Sequence, residues 1–320
     1  MNTQIKLAII AIAIVIPLAS LAITQTNSTS NNSTNENSKL QVVASATFLY
    51  EFSQNIGKEM IDVTLLVPMG ADPHDWEPTI RDTERLQKAD MIIVNGIGYE
   101  HWLNSLELSD IAGILVDTSN GISTLDSANH DEEKHDDHAK EDGHDDEDNH
   151  NHGVLDPHIW LNPVFAQLQV KNIANALSNS DPTNKNYYQS NAAIYNQKLN
   201  LLDTKIRTEL SGCKTDFITF HDAFSYFSEE YGLTQHTIIS STDSHGDVTP
   251  KTLEHIISLA RELNIKVIFA EENTSTKTSQ VIADEIGGKV LVLSPLEIVS
   301  DETYVEKMTQ NLESLKDALC

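Results

Sequence analysis

The chain has 320 residues, 39% of them hydrophobic, enough to bury one large core or two medium ones, and its length favours two domains. With 21 Lys and Arg against 48 Asp and Glu, the net charge of -27 repels nucleic acid and anionic membrane surfaces and attracts cations, which argues against a nucleic-acid partner. Much of this excess is local: eleven carboxylates and two lysines stand between His130 and His152.

Behind Lys6 an apolar run from Leu7 to Ile23 reads either as a secretory signal peptide or as a short N-terminal membrane anchor, which assigns residues 1–24 to that role. Neither cysteine lies near this run, so attachment through an acylated cysteine is not expected. Residues 25–39 are Asn/Ser/Thr-rich and hold nothing to bury, as a solvated tether would. Either reading places the remainder outside the cytoplasm, secreted or tethered to the outer face of the membrane.

From Leu40 the pattern alternates. A strand is expected over Leu40–Phe48, a helix over Tyr50–Met60 and a strand over Val63–Val67, followed by a Pro/Gly loop. A helix capped by Thr79 runs to Ala89, and Met91–Val94 and Ile114–Val116 read as buried strands. Periodicity is lost over 126–153, a His/Asp-rich loop. Pro163 starts a helix to about Ser178, and after Asp181-Pro182 a second helical pattern extends to Leu210 with apolar positions at Ile194, Leu199, Leu202, Ile206 and Leu210. Strands follow at Phe217–Phe220, Thr237–Ser240, Val267–Ala270 and Val290–Leu293, with helices at Ala223–Tyr231, Pro250–Leu263, Thr278–Ile286 and Thr303–Ala318. The expected fold is α/β, with two lobes, each a mainly parallel sheet flanked by helices, joined by a long backbone helix over a cleft. The expected boundaries are 40–165 for the first lobe, 166–211 for the helical connector and 212–320 for the second lobe.

Three histidines sit where binding residues form in such folds. His74 lies in ADPHDWEP after a strand, His158 in LDPHIWLNP, and His221 directly follows a strand. Open α/β sheets bind ligands at the C-terminal ends of their strands, and neutral imidazole suits Zn²⁺ and other late first-row ions. Asp72, Asp75, Asp156 and Asp222 are nearby acceptors for the second ring nitrogens. His101, His236, His245 and His255 lack such settings and read as surface or capping residues. His130, His135, His138, His144, His150 and His152 in the acidic loop read as an auxiliary, low-affinity metal-collecting segment rather than one cage. Cys213 and Cys320 either pair as a disulfide or remain free thiols, and neither belongs to a Cys-x-x-Cys zinc pattern.

These residues resemble the metal-binding component of ABC importers for zinc and manganese, the cluster A-I or ZnuA/TroA-like solute-binding family. The similarity extends from about residue 40 to 320 through ADPHDWEP, LDPHIWLNP, TFHDAFSYF, IFAEENTS and LSPLE, and the His/Asp loop matches the zinc branch. It implies two α/β lobes joined by one long helix with little hinge motion. It also implies a metal between the lobes held by His74, His158 and His221, with Glu297 of the PLE segment as fourth ligand. Water or a visiting loop histidine is the alternative for that fourth place, and Glu271 is a lesser candidate. Manganese members tend to carry Glu at the third position, where this chain has His221, so the resemblance implies Zn²⁺ as transported ligand ahead of Mn²⁺. It implies a monomer that is not an enzyme, with an ABC permease and its ATPase as partners. Two other functions remain open to these residues: a surface metal-buffering or adhesin protein without transport, and a zinc hydrolase, for which no HExxH motif is present.

Overall fold

A computed structural model describes residues 39–68, 71, 73, 75–106, 111–125, 155–239, 248–272 and 276–320. The expected leader and most of the tether, Asp72, His74, the loop histidines from His130 to His152, and His245 lie outside the described residues.

The described chain folds as two four-stranded parallel sheets. Strands β1 (Leu40–Ala44), β2 (Ile61–Leu65), β3 (Met91–Val94) and β4 (Ile114–Asp117) form the first, in the order β2-β1-β3-β4. Strands β5 (Asp216–Thr219), β6 (Thr234–Thr237), β7 (Val267–Ala270) and β8 (Lys289–Val292) repeat that order as β6-β5-β7-β8. In each sheet the order reverses between the first and third strands, which opens a crevice at their C-terminal ends.

Helix α1 (Thr47–Gly57) returns from β1, and its buried Phe48, Leu49, Phe52 and Ile56 face the core. Helix α2 (Ile80–Lys88) begins with a reciprocal cap: Thr79 Oγ1 accepts from Asp82 N, and the Asp82 carboxylate accepts from Thr79 N. Between the lobes run α3 (Pro163–Ser180) and α4 (Lys185–Leu210). At about 1.5 Å per residue the 26 residues of α4 span about 39 Å, so α4 packs both on α1 of the first lobe and on the last helix of the second. The second lobe is completed by α5 (Ser225–Tyr231), α6 (Pro250–Glu262), α7 (Lys277–Ile286) and α8 (Tyr304–Leu319).

One apolar core passes without interruption from Val42, Phe48, Phe52 and Met91 through Tyr188, Leu199, Leu202 and Ile206 to Phe217, Phe269, Leu312 and Leu315. Smaller clusters cover the outer sheet faces, around Leu86 and Ile92 in one lobe and Ile256 and Ile282 in the other. Because the inner faces share one core, separating the lobes would expose apolar area at about 25 cal/mol per Å², which opposes a wide hinge.

Three readings of the sequence are corrected. The strand expected over Leu40–Phe48 ends at Ala44, and Thr47 and Phe48 already belong to α1, where Phe48 is on the buried helix face. Ile194 is 54% exposed although it sits in the apolar series of α4, whose buried stripe is Tyr188, Asn191, Ala192, Tyr195, Leu199, Leu202, Ile206 and Leu210. The strand expected at Thr237–Ser240 lies at Thr234–Thr237. It is an edge strand paired with β5 alone, so polar Thr-Gln-His-Thr suits it, and the apolar Ile238 and Ile239 are buried in the turn beyond it.

Cys213 and Cys320 are joined by a disulfide that closes a separation of 107 residues and ties the end of α8 to the chain before β5. This cross-link lies at the N-terminal side of β5, away from the crevice. Replacing both cysteines by serine is expected to lower the unfolding free energy by about 4 to 5 kcal/mol in urea titrations, through release of the unfolded chain, and to leave Zn²⁺ affinity unchanged.

Candidate metal centre

Strand β5 ends at Thr219, and the buried His221 follows two residues later, at the mouth of the second crevice. Strand β7, its neighbour across the reversal in strand order, delivers Glu271 one residue past its end. The Glu271 carboxylate accepts from His221 Nδ1 at 2.6 Å and from His221 N at 3.1 Å. Glu271, a lesser candidate for fourth ligand in the sequence, thus holds the His221 ring from behind. The expected acceptor Asp222 instead takes the Ser225 hydroxyl at 2.7 Å.

His158 arrives on the other side, immediately before a 3₁₀ turn at Ile159–Leu161. Asp156 holds it in the same way, accepting from His158 Nδ1 at 2.7 Å and from His158 N at 2.9 Å. The first crevice supports this segment: Asn95, just past β3, donates its side-chain N–H to the Pro157 carbonyl at 2.9 Å and accepts from Gln169 at 3.0 Å. Tyr226 of α5 donates to the Asp156 carbonyl at 2.7 Å across the seam.

With both Nδ1 atoms committed to carboxylates, the two Nε2 atoms are turned toward each other, 3.4 Å apart. Glu297 Oε1 lies 3.4 Å from His158 Nε2. One ligand atom from each of His158, His221 and Glu297 falls within 4.8 Å of the other two, and all three residues are buried. Two nitrogens at about 2.1 Å from a tetrahedral ion are about 3.4 Å apart, so the spacing between the rings is that of two zinc ligands. His74 lies outside the described residues.

The other described histidines are elsewhere. His101 and His255 are exposed, and His236 on the edge strand β6 contacts Asp216 at the start of β5 at 3.0 Å.

Burial disfavours a charged imidazole at His158, but the facing Asp156 and Glu297 carboxylates outweigh it and lift its pKa to about 10. In the metal-free protein a proton thus stands where an ion can bind, and a ligating ring must lose it. Calorimetric Zn²⁺ titrations at pH 7.5 in buffers of different ionisation enthalpy are expected to report release of about one proton per ion from His158. Affinity should rise with pH, and zero proton release would show the ring to be neutral beforehand.

A second buried carboxyl shapes the first crevice. Glu100 is 5% exposed and accepts from Ser45 Oγ at 2.6 Å, Asn95 N at 2.7 Å and Gly96 N at 3.0 Å, tying together the loops after β1 and β3. Burial raises its pKa from 4.5 to about 7, against the lowering effect of those hydrogen bonds. Between these two values the folded state binds more protons than the unfolded state, so stability falls as pH rises through this window. Glu100→Gln should remove that fall: relative to the variant, the wild type is expected to lose about 3 kcal/mol between pH 4.5 and 7.5 in urea unfolding of metal-free protein.

Residues 42–318 match the family model described as ZnuA, zinc-uptake complex component A, periplasmic. The high-affinity zinc uptake system protein ZnuA of Bacillus subtilis is 41% identical over 293 residues, covering 89% of each chain. The zinc-binding protein AdcA of Streptococcus pyogenes is 32% identical over 287 residues, 87% of this chain but only 56% of that protein's length. Among solved structures, the metal-dependent lipoprotein YcdH of Bacillus subtilis superposes with a TM-score of 0.72 at 38% identity, covering 88% of this chain and 99% of that one.

Proposed function

The chain belongs to the ZnuA family of zinc-uptake components, and from that premise we propose that it captures Zn²⁺ outside the cytoplasm and passes it to an ABC permease driven by its ATPase. The observation that carries this reading is the pair of inward-facing Nε2 atoms 3.4 Å apart, each ring locked from behind by a carboxylate. Two such lone pairs repel unless a proton or a cation stands between them.

His158, His221 and Glu297 are assigned as three ligands, with His74 as the fourth on the strength of its ADPHDWEP segment. The donor set of imidazoles and one carboxylate suits a borderline ion such as Zn²⁺ and disfavours Mg²⁺ and Ca²⁺, which prefer oxygen. Mn²⁺ is disfavoured by the same nitrogen-rich set. The acidic loop from His130 to His152 is assigned the looser task of collecting ions at low affinity. Delivery to a permease requires the protein at the outer membrane face, and its N-terminal segment is the proposed tether. Binding with later release, rather than chemistry on a substrate, is the reading that the family supports.

Calorimetry on metal-free protein tests the assignment. His74→Ala, His158→Ala and His221→Ala are each expected to weaken Zn²⁺ binding by at least about 10-fold, as removal of one of four ligands should. A variant that binds like the wild type removes its residue from the site. Elemental analysis of protein purified without added metal identifies the cargo.

A further inference from the structure

The turn that carries Glu297 is held by both lobes. Within the second lobe, the Asn311 side chain of α8 brackets Ser294, accepting from its N and donating to its carbonyl, each at 2.7 Å. Leu296 N donates to Ser294 Oγ at 3.1 Å, and that hydroxyl donates to Glu272, which also accepts from Lys307.

The next two carbonyls are held from the first lobe. Trp160 Nε1 donates to the Pro295 carbonyl at 2.8 Å, and Thr47 Oγ1 donates to the Leu296 carbonyl at 3.0 Å. Thr47 is the first residue of α1, yet its hydroxyl does not cap that helix. Leu296 itself has φ +62, a left-handed conformation that costs a residue with a Cβ on the order of 1 kcal/mol or more and persists only where its surroundings impose it. Beside the turn lies a cavity of about 220 Å³, lined among others by Thr47, Tyr50, Leu65, Leu296, Ile298 and Tyr304. The turn is therefore strained, pinned at its two central carbonyls by the opposite lobe, and bordered by space into which it can relax.

We propose that the Thr47 hydroxyl is a positioning residue for release: by holding the Leu296 carbonyl it keeps Glu297 on the ion, and loss of this hold lets the turn relax, withdraws the carboxylate and frees the metal. The inference rests on Glu297 being a ligand. It places control of the ion's residence time in a local contact at the lobe seam rather than in a hinge. A small displacement of the N-terminus of α1 by a docked partner would be enough to break that contact.

The test is a double-mutant cycle on the Zn²⁺ dissociation rate, measured by stopped-flow chase with a chelator on the full chain. Thr47→Val keeps the shape and β-branching of the side chain and removes the donor. It is expected to speed dissociation about 3- to 10-fold, the usual net worth of one hydrogen bond. Thr47→Ser, which retains the hydroxyl, should dissociate like the wild type, and the thermal midpoint of metal-free Thr47→Val should stay close to the wild-type value. In a Glu297→Gln background, Thr47→Val should change the rate less than about 2-fold, because the group it positions is gone. An unchanged rate in Thr47→Val, a Thr47→Ser as fast as Thr47→Val, or equal effects in the two backgrounds would overturn the proposal. If Glu297→Gln alone dissociates like the wild type, the ligand assignment fails as well. A faster Glu297→Gln combined with an unaffected Thr47→Val removes only the role given to Thr47.

Discussion

Two carboxylate–imidazole pairs set the geometry on which the rest of this site depends. Asp156 and Glu271 each use one oxygen to accept both the Nδ1 and the backbone N–H of a histidine, which fixes tautomer, ring rotation and main chain together. Each histidine is thereby left one usable nitrogen with one direction. Because the two pairs come from opposite lobes, their Nε2 atoms can approach to 3.4 Å only while the lobes keep their relative placement. The continuous core through α4 supplies that constraint. An interlobe site in two independently packed domains would not hold such a spacing.

This rigidity poses a problem for a carrier, which must also let go. A shared core makes a wide opening costly, so the mobile element has to be smaller than a lobe. The ligand-bearing segments differ in this respect. His221 follows directly from a buried strand, and His158 is locked by Asp156, Asn95 and Tyr226. Glu297 sits on a turn with a left-handed leucine, beside a cavity, and the Pro295 and Leu296 carbonyls of that turn are secured from the other lobe. Of the described ligand segments it is the one that carries a left-handed residue, and the Leu296 carbonyl is held by a single hydroxyl of the other lobe.

Much of the architecture was legible in the chain. The alternation of short apolar runs with capped, 3.6-periodic segments located both sheets, and Thr79 and Thr303 marked helix starts that the structure places at those caps. The shift of β6 shows the limit: an edge strand needs no apolar residues, whereas the buried turn after it does, so hydrophobicity pointed three residues too far. The role of Glu271 was hidden for another reason. Its partner His221 is 50 residues away, and the two meet only because β5 and β7 are neighbours, an order that local periodicity does not encode. The Thr47–Leu296 bond spans 249 residues and rests on a backbone carbonyl, which leaves no trace in residue type at all.

The charge at the centre argues for what the site is built to accept. Asp156, Glu271 and Glu297 bring three carboxyl groups into a buried space with two imidazoles, and burial of uncompensated charge is costly. The Asp156 and Glu297 carboxylates offset part of this by lifting the His158 pKa to about 10, which favours one positive charge on that ring. One proton supplies one positive charge and can be shared along only one line between heavy atoms. A divalent ion supplies two, and contacts both nitrogens and the carboxylate together. The arrangement that is strained with a proton is thus satisfied by a small dication, and the difference between those two occupants is the free energy available for capture. Because the proton and the ion compete for the same place, the acidity of the surroundings and the hold on Glu297 act on one equilibrium: moving the carboxylate away takes a ligand from the ion and, from the proton, one of the two carboxylates that favour it.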